Sequence, residues 1–380
     1  MHKTRSADCV VVGASFAGLA CAMTLARAGL RVTIAEKKAD PGDKLHTTGI
    51  LVRDVVDEVP ILQGLPPELV RRVDAVRLYA PNLTSVDLAA PGYYFLATDT
   101  PGLLRWLAER AVQAGAELRC GLGFRDAQPI ADGFDLGEPL GRTRFLVGAD
   151  GPASRVARAL GLGQNRQFLA GIEHEFRGAQ LDAPGFLHCF IDRRLMPGYI
   201  GWMVQGVHGV QVGLARRLGK QGAADVKVAM NGFLTKISQI SDFRGATPDS
   251  IRAGLIPCGG LVRPLARTRA LLVGDAAGLV SPVTAGGIHT ALAHGLAAGD
   301  AVAGFLSGRS ADPQREFIDT YPRFRVKRLL RFAFDHFQAD WAFNLALATA
   351  PMRWAAGRVY FHQRAVVFES RQEDRRFEPR

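Results

Sequence analysis

The sequence predicts an α/β fold with three parts: a doubly wound sheet, a separate mixed β-sheet region, and a helical C-terminal region. Three observations predict it. The chain opens on a strand, glycine turn and helix at Val10-Val11-Val12-Gly13-Ala14-Ser15-Phe16-Ala17-Gly18. A second glycine-rich strand end follows far downstream at Leu271-Leu272-Val273-Gly274-Asp275-Ala276-Ala277-Gly278, running on to Pro282, Gly286 and Gly287. Between them, from Gly171 to Leu214, the pattern shifts to strands of mixed apolar and polar residues broken by turns.

Residues Ala7 to Lys38 read as strand, turn, helix and strand, with Gly29 closing the helix as its C-terminal cap. Asp40-Pro41-Gly42-Asp43 is a turn. Strand character runs from Ala75 to Asp99, interrupted at Pro81-Asn82 and Pro91-Gly92. Thr100 is the expected N-cap of a helix with Pro101 at its first position, the helix running to Gln113 and stopping at Gly115. Phe145 to Asp150 is a short buried strand, and Ser154 caps the helix after it. Gly286 opens a long helix of small residues reaching about Phe305. From Pro313 to Val359 the pattern is helical and rich in aromatics, and the polar end from Glu369 is expected to fray. The resulting division assigns 1–75, 96–165 and 250–310 to the doubly wound domain. It assigns 76–95 and 166–249 to the second sheet, and 311–380 to the C-terminal helices.

At 380 residues the chain can bury a large core, and 48% hydrophobic with 22% charged residues is ordinary for a globular protein. The net charge of +11 and a pI near 9.8 favour anionic partners. The excess is not one basic block, although from Tyr321 onward twelve Lys/Arg face only six acids. Nucleic acid is not among the expected partners. The five cysteines are odd in number and widely spaced, with no zinc-site spacing, so no metal is expected and reduced thiols in a cytoplasm are the natural reading. Lys3 and Arg5 ahead of an apolar run imitate a signal peptide. That run, however, holds a phosphate-type loop in register with a strand, which favours a folded strand-turn-helix. No uninterrupted apolar stretch is long enough to span a bilayer.

A pyrophosphate needs backbone N–H groups and the positive end of a helix dipole. The loop Gly13, Ala14, Ser15, Phe16, Ala17 and Gly18 offers both. Gly13 serves the tight turn and Gly18 the close packing of helix on sheet. Ser15 replaces the usual middle glycine, and its hydroxyl is a candidate donor to the phosphate. Glu36, ending the second strand and followed by Lys37, is the expected acceptor for adenosine ribose hydroxyls, and a carboxylate there disfavours a 2′-phosphate. Asp275 discriminates further. At a strand end before a second glycine-rich helix start, it suits the polyol spacer of FAD, which NAD lacks. Gly286, Gly287 and Ile288 would aim a helix N-terminus at the flavin ring, and Pro282 lies in the same segment. A third motif, Gly148-Ala149-Asp150-Gly151, sets a carboxylate near the nucleotide face. The fold class is therefore α/β with a Rossmann-like FAD-binding domain, a mixed β-sheet substrate domain and a helical C-terminal region.

These motifs, in this order, resemble the flavoprotein superfamily of aromatic-ring hydroxylases, flavin halogenases and geranylgeranyl reductases. The stretch Gly254-Leu255-Ile256-Pro257 followed by the Leu271 to Ile288 motif is most similar to the geranylgeranyl reductase family. So is Pro197-Gly198-Tyr199-Ile200-Gly201-Trp202 ahead of Val212-Gly213-Leu214. The resemblance covers roughly residues 8–305 and implies that Tyr199 and Trp202 wall a substrate pocket. It implies that Lys44 to Ile50 approaches the flavin, with Thr48 at the cofactor and Thr47 where several relatives carry a cysteine. Val204-Gln205 replaces the family's Phe-Pro. Thr100 stands where the superfamily has an arginine or lysine, with Arg105 about a turn along.

The function this implies is an FAD-dependent oxidoreductase, foremost a reductase of carbon–carbon double bonds in a small lipophilic, isoprenoid-like substrate. A flavin monooxygenase acting on an apolar or aromatic substrate is the alternative, and a non-catalytic lipid-binding relative the second. The halogenase reading lacks its paired-tryptophan motif, since one Trp stands here. Gly121-Leu122-Gly123 and Gly161-Leu162-Gly163 lack a strand-turn-helix context. The reductant is therefore expected to be transient: NAD(P)H or a reduced electron-carrier protein. His46 and His289 are candidate proton donors, weighed against ordinary structural histidines. The basic, aromatic C-terminal helices suggest peripheral contact with a membrane surface.

Overall fold

The computed structural model describes residues 6–45, 49–218, 224–280, 287–310, 313–314, 317, 339–347, 349–361 and 367–369. The opening strand Ser6–Val12 lies between Val32–Ala35 and Arg142–Gly148, parallel to both. Glu117–Arg119 and Ala270–Leu272 continue the parallel sheet outward on either side. Cys9, Val10 and Val11 are wholly buried, as expected of a central parallel strand covered on both faces. The chain leaves the opening strand toward one side of the sheet and later returns on the other. A crevice therefore forms outside the carboxyl ends of Ser6–Val12 and Arg142–Gly148. Antiparallel strands Gly133–Asp135, Gln128–Ile130 and Ala266–Arg267 complete this eight-stranded sheet.

Helix Phe16–Arg27 is buried along most of its length because two others pack on it, Thr100–Gln113 and Ile288–Leu306. Small residues permit the second contact. A Cβ on Gly295 would stand 2.4 Å from the Ala17 carbonyl oxygen, and one on Gly299 would stand 2.5 Å from Thr24 Cβ.

The second sheet also has eight strands. In order they are Ser250–Pro257, Phe168–Arg177, Gly209–Arg217, Gly201–Gln205, Phe186–Phe190, Ala75–Tyr79, Ser85–Ala89 and Val367–Glu369. All its neighbours are antiparallel except Phe186–Phe190 with Ala75–Tyr79. Helix Ala224–Ile237 covers one face, where Met230 and Phe233 meet Met203, Val212 and Leu214. The other face carries Trp202, Tyr199 and Leu169 in one apolar cluster with Tyr93, Phe95, Leu347 and Phe361. The last two residues belong to the C-terminal segment holding helices Asp340–Ala346 and Ala350–Phe361. A small antiparallel sheet of Ile50–Val52, Phe95–Thr98 and Val70–Val73 stands beside this cluster.

Four details differ from expectation. Residues 250–257, assigned to the nucleotide domain, pair with Phe168–Arg177 and form the edge of the second sheet. Within the C-terminal region assigned to helices, Val367–Glu369 is a strand that lengthens the opposite edge. Asp99, not Thr100, caps the helix Thr100–Gln113: its carboxylate accepts from Gly102 N, which puts Thr100 in the first turn. The long late helix begins at Ile288 with Gly287 as its cap residue.

Candidate active site

The sequence motifs meet at the crevice. Gly13 has a φ of +105°, and a Cβ there would lie 2.4 Å from the Ala149 carbonyl oxygen, so only glycine fits between the first turn and the third motif. Gly18 is equally confined, with Gly13 O 2.1 Å from its missing Cβ. Ser15 is the N-cap of Phe16–Arg27: its hydroxyl accepts from Gly18 N at 3.3 Å and donates to Ala149 O at 3.1 Å. The Ser15 hydroxyl thus clasps the two loops together. The first-turn N–H groups of Phe16 and Ala17, which have no acceptor within the helix, are what this loop can offer an anion.

Glu36 is buried at the end of Val32–Ala35. Its Oε2 accepts from Ala14 N at 2.8 Å and its Oε1 from Lys38 N at 2.9 Å. Each oxygen keeps a lone pair for a further donor. Asp150 is not directed at the crevice, because its carboxylate accepts from Ser154 Oγ and from Arg155 N and Val156 N at the next helix start.

The late motif sits against the first. A Cβ on Gly274 would stand 3.0 Å from Ala17 Cβ, so the two loops form one continuous wall. Asp275 is partly exposed, and its Oδ1 lies 3.6 Å from where a Gly287 Cβ would be, at the start of Ile288–Leu306. Burial lifts the Asp275 carboxyl to about 6. Asn165 Nδ2 holds this turn through the Asp275 carbonyl at 2.8 Å. His46, Thr47, Thr48, Pro282 and Gly286 lie outside the described residues. His289 stands at the start of the long helix with Nε2 3.5 Å from Glu58 Oε2. Arg105 is exposed and tied to Asp40 at 2.7 Å, while Thr100 is buried against Thr98 and Gly49.

Beyond the crevice, Ile50 and Val52 pack against the cluster of Tyr199 and Trp202, so the chain leaving the segment 44–49 runs directly onto the apolar face of the second sheet. Trp202 Nε1 donates to Glu173 Oε2 at 2.9 Å. Arg252 bridges Glu173 and Glu175 at 3.1 and 3.0 Å, all three buried. Burial raises the Glu173 carboxyl to about 7 against the opposing pull of Arg252 and the indole N–H. A polar cleft of about 300 Å³ adjoins this network, lined among others by Lys44, Asp99, Arg105, Glu175, Arg177 and Arg252.

A family described as an FAD binding domain matches residues 6–332. Digeranylgeranylglycerophospholipid reductase 2 of Methanopyrus kandleri is 30% identical over 335 residues, covering 83% of this chain and 81% of that protein. The chain belongs to the geranylgeranyl reductase family of FAD-dependent oxidoreductases. Among solved structures, a geranylgeranyl bacteriochlorophyll reductase-like protein of Thermoplasma acidophilum superposes with a TM-score of 0.79. It is 16% identical, and the match covers 93% of this chain and 96% of that one. The flavin-dependent brominase Bmp2 superposes at 0.68 with 13% identity, covering 93% and 94%. At such identities the two likenesses establish the fold alone.

Sequence reasoning missed Glu173 and Arg252 in this reductase-family chain. A signal was present: Glu173 and Glu175 stand two apart on the strand Phe168–Arg177, which puts both on one face, and two buried carboxylates on one face need a cation beside them.

Proposed function

We propose that this chain reduces carbon–carbon double bonds in an isoprenoid-like lipid, using FAD. The observation that carries the reading is the packing of Ile50 and Val52, which follow the segment 44–49, against the cluster of Tyr199 and Trp202; it supports an apolar wall beside the cofactor. The naming of the Methanopyrus relative as a digeranylgeranylglycerophospholipid reductase supports the substrate class. FAD, when bound, supplies the two electrons of the reduction.

In this reading the first-turn N–H groups of Phe16 and Ala17, in the loop Gly13 to Gly18, hold the pyrophosphate. Glu36 takes the adenosine ribose, with Lys37 beside it, and Asp275 takes the ribityl chain. Gly287 and Ile288 bring a helix N-terminus to the ring. Thr48, Pro282 and Gly286 join them by their motif positions, and Thr47 joins Tyr199 and Trp202 at the substrate. NAD(P)H or a reduced carrier protein reloads the cofactor transiently. Trp341, Leu345 and Trp354 are exposed on the C-terminal helices, in the stretch from Tyr321 that holds a net six positive charges. That combination supports peripheral contact with an anionic membrane surface.

The test is anaerobic turnover of a geranylgeranyl glycerophospholipid by the FAD-loaded, chemically reduced protein. The expected product gains one H2 per double bond saturated. A flavin that stays reduced in the presence of lipid would overturn the proposal in favour of a binding protein, and incorporation of labelled oxygen in a parallel reaction under O2 would overturn it in favour of a monooxygenase.

A further inference from the structure

Trp202, Gly213, Glu173 and Arg252 stand side by side on four adjacent strands of the second sheet: Trp202 pairs with Gly213, Gly213 with Glu173, and Glu173 with Arg252. Strands are about 4.8 Å apart, so the Trp202 and Glu173 backbones are separated by roughly 10 Å. The indole N–H nevertheless reaches the Glu173 carboxylate at 2.9 Å. It does so by lying across the intervening strand. A Cβ on Gly213 would come within 2.4 Å of Cε2 and Cζ2 and 2.7 Å of Nε1. The ring therefore rests on bare backbone.

We infer that Glu173, oriented by Arg252, and Gly213 are positioning residues that hold the Trp202 indole flat against the sheet as the floor of the lipid pocket. The inference rests on the reading that Tyr199 and Trp202 wall that pocket. Filling space does not require this arrangement. Apolar side chains of similar volume commonly equal or exceed a buried ion pair in stability, and a phenylalanine at 202 would need no acceptor. What the network adds is orientation. Bound through Nε1, the indole cannot stand up among Tyr199, Leu169, Tyr93 and Phe361, the side chains that share its cluster on this face. A ring freed from Glu173 or lifted by a side chain at 213 would occupy the volume a long branched chain requires. The height of the ring above the sheet is thus set by one hydrogen bond and one missing methyl group.

The FAD-loaded full chain tests this with geranylgeraniol and prenol as long and short probes. Gly213→Ala and Glu173→Leu should each raise KM for geranylgeraniol about tenfold more than KM for prenol, roughly 1.4 kcal/mol of lost discrimination. In both, kcat for the long probe should change much less than KM. Glu173→Gln, which keeps an acceptor, should recover most of the loss. A readout independent of turnover is the indole ¹⁵N–H resonance of Trp202, assigned by its absence in Trp202→Phe. It should shift in Glu173→Gln and move further in Glu173→Leu. If Trp202→Phe alters the KM ratio while the Gly213 and Glu173 variants leave both ratio and resonance at wild type, the positioning inference is overturned and the wall reading survives. If Trp202→Phe leaves both substrates unaffected, the wall reading falls and the inference with it.

Discussion

Replacing Arg252 with leucine leaves Glu173 and Glu175 inside the second sheet without their shared countercharge. Removing one partner of a buried pair costs about 3–5 kcal/mol when the remaining group stays ionised. Here the cost depends on pH, and its sign follows from Glu173. Its folded pKa of about 7 lies above the ordinary 4.5, so between these values the native protein holds a proton that the unfolded chain releases. The stability carried by that proton is complete below pH 4.5 and is lost as pH rises through 7, about 3 kcal/mol across the window. Without Arg252, which pulls the Glu173 pKa down, that carboxyl retains its proton to still higher pH. At pH 5 Glu173 is neutral and the variant should lose less, whereas at pH 8 the full penalty of about 3–5 kcal/mol should appear. Urea unfolding of wild type and Arg252→Leu, both FAD-saturated, at pH 5 and pH 8 measures the difference directly. Other groups titrating in this range, Asp275 among them, cancel between the two proteins to first order. A loss equal at the two pH values, or larger at pH 5, refutes the reasoning.

Three further outcomes are expected. Glu36→Ala should weaken FAD binding by about 10–100-fold in a flavin-fluorescence titration, since it removes the proposed ribose acceptor and frees Ala14 N from its bond. Asp275, lifted to about 6, should make FAD affinity rise as pH increases through 6, because the carboxylate accepts from the ribityl chain better than the acid; Asp275→Asn should flatten that profile. Cys120 is the exposed thiol among five, the others being buried, so mass spectrometry after native alkylation at alkaline pH should find one modification and retained flavin.

Much of the nucleotide half was legible because its constraints are local. A glycine turn, a capping serine and an acid at the next strand end each leave a mark within a few residues. Ser15 shows where this stops: its hydroxyl also reaches Ala149 O, 134 residues away in sequence, a partner that no local pattern announces. Asp150 misled, because an Asp-Gly turn looks the same whether its carboxylate faces a ligand or caps Arg155–Ala159. The second sheet was visible as strands but not as an order. Val367–Glu369 joins it by pairing with Asp87 to Ala89, most of the chain away, and pairing partners at such distance leave no local pattern. Trp202 was identifiable by resemblance, while its anchor needed the cross-strand register that puts Glu173 two strands away.

The contact between Gly295 and Ala17 has a kinetic consequence. The glycine turn leaves the ribosome well before the helix that backs it, which is made almost three hundred residues later. The sheet beneath has the same character, its central strands beginning at Ser6, Arg142 and Ala270. Loop closures of this length are slow, and the apolar helix Phe16–Arg27 must wait for its cover. Nascent chains stalled before residue 288 should therefore leave that helix open to chaperones and proteases, and they should capture flavin only once synthesis has passed it.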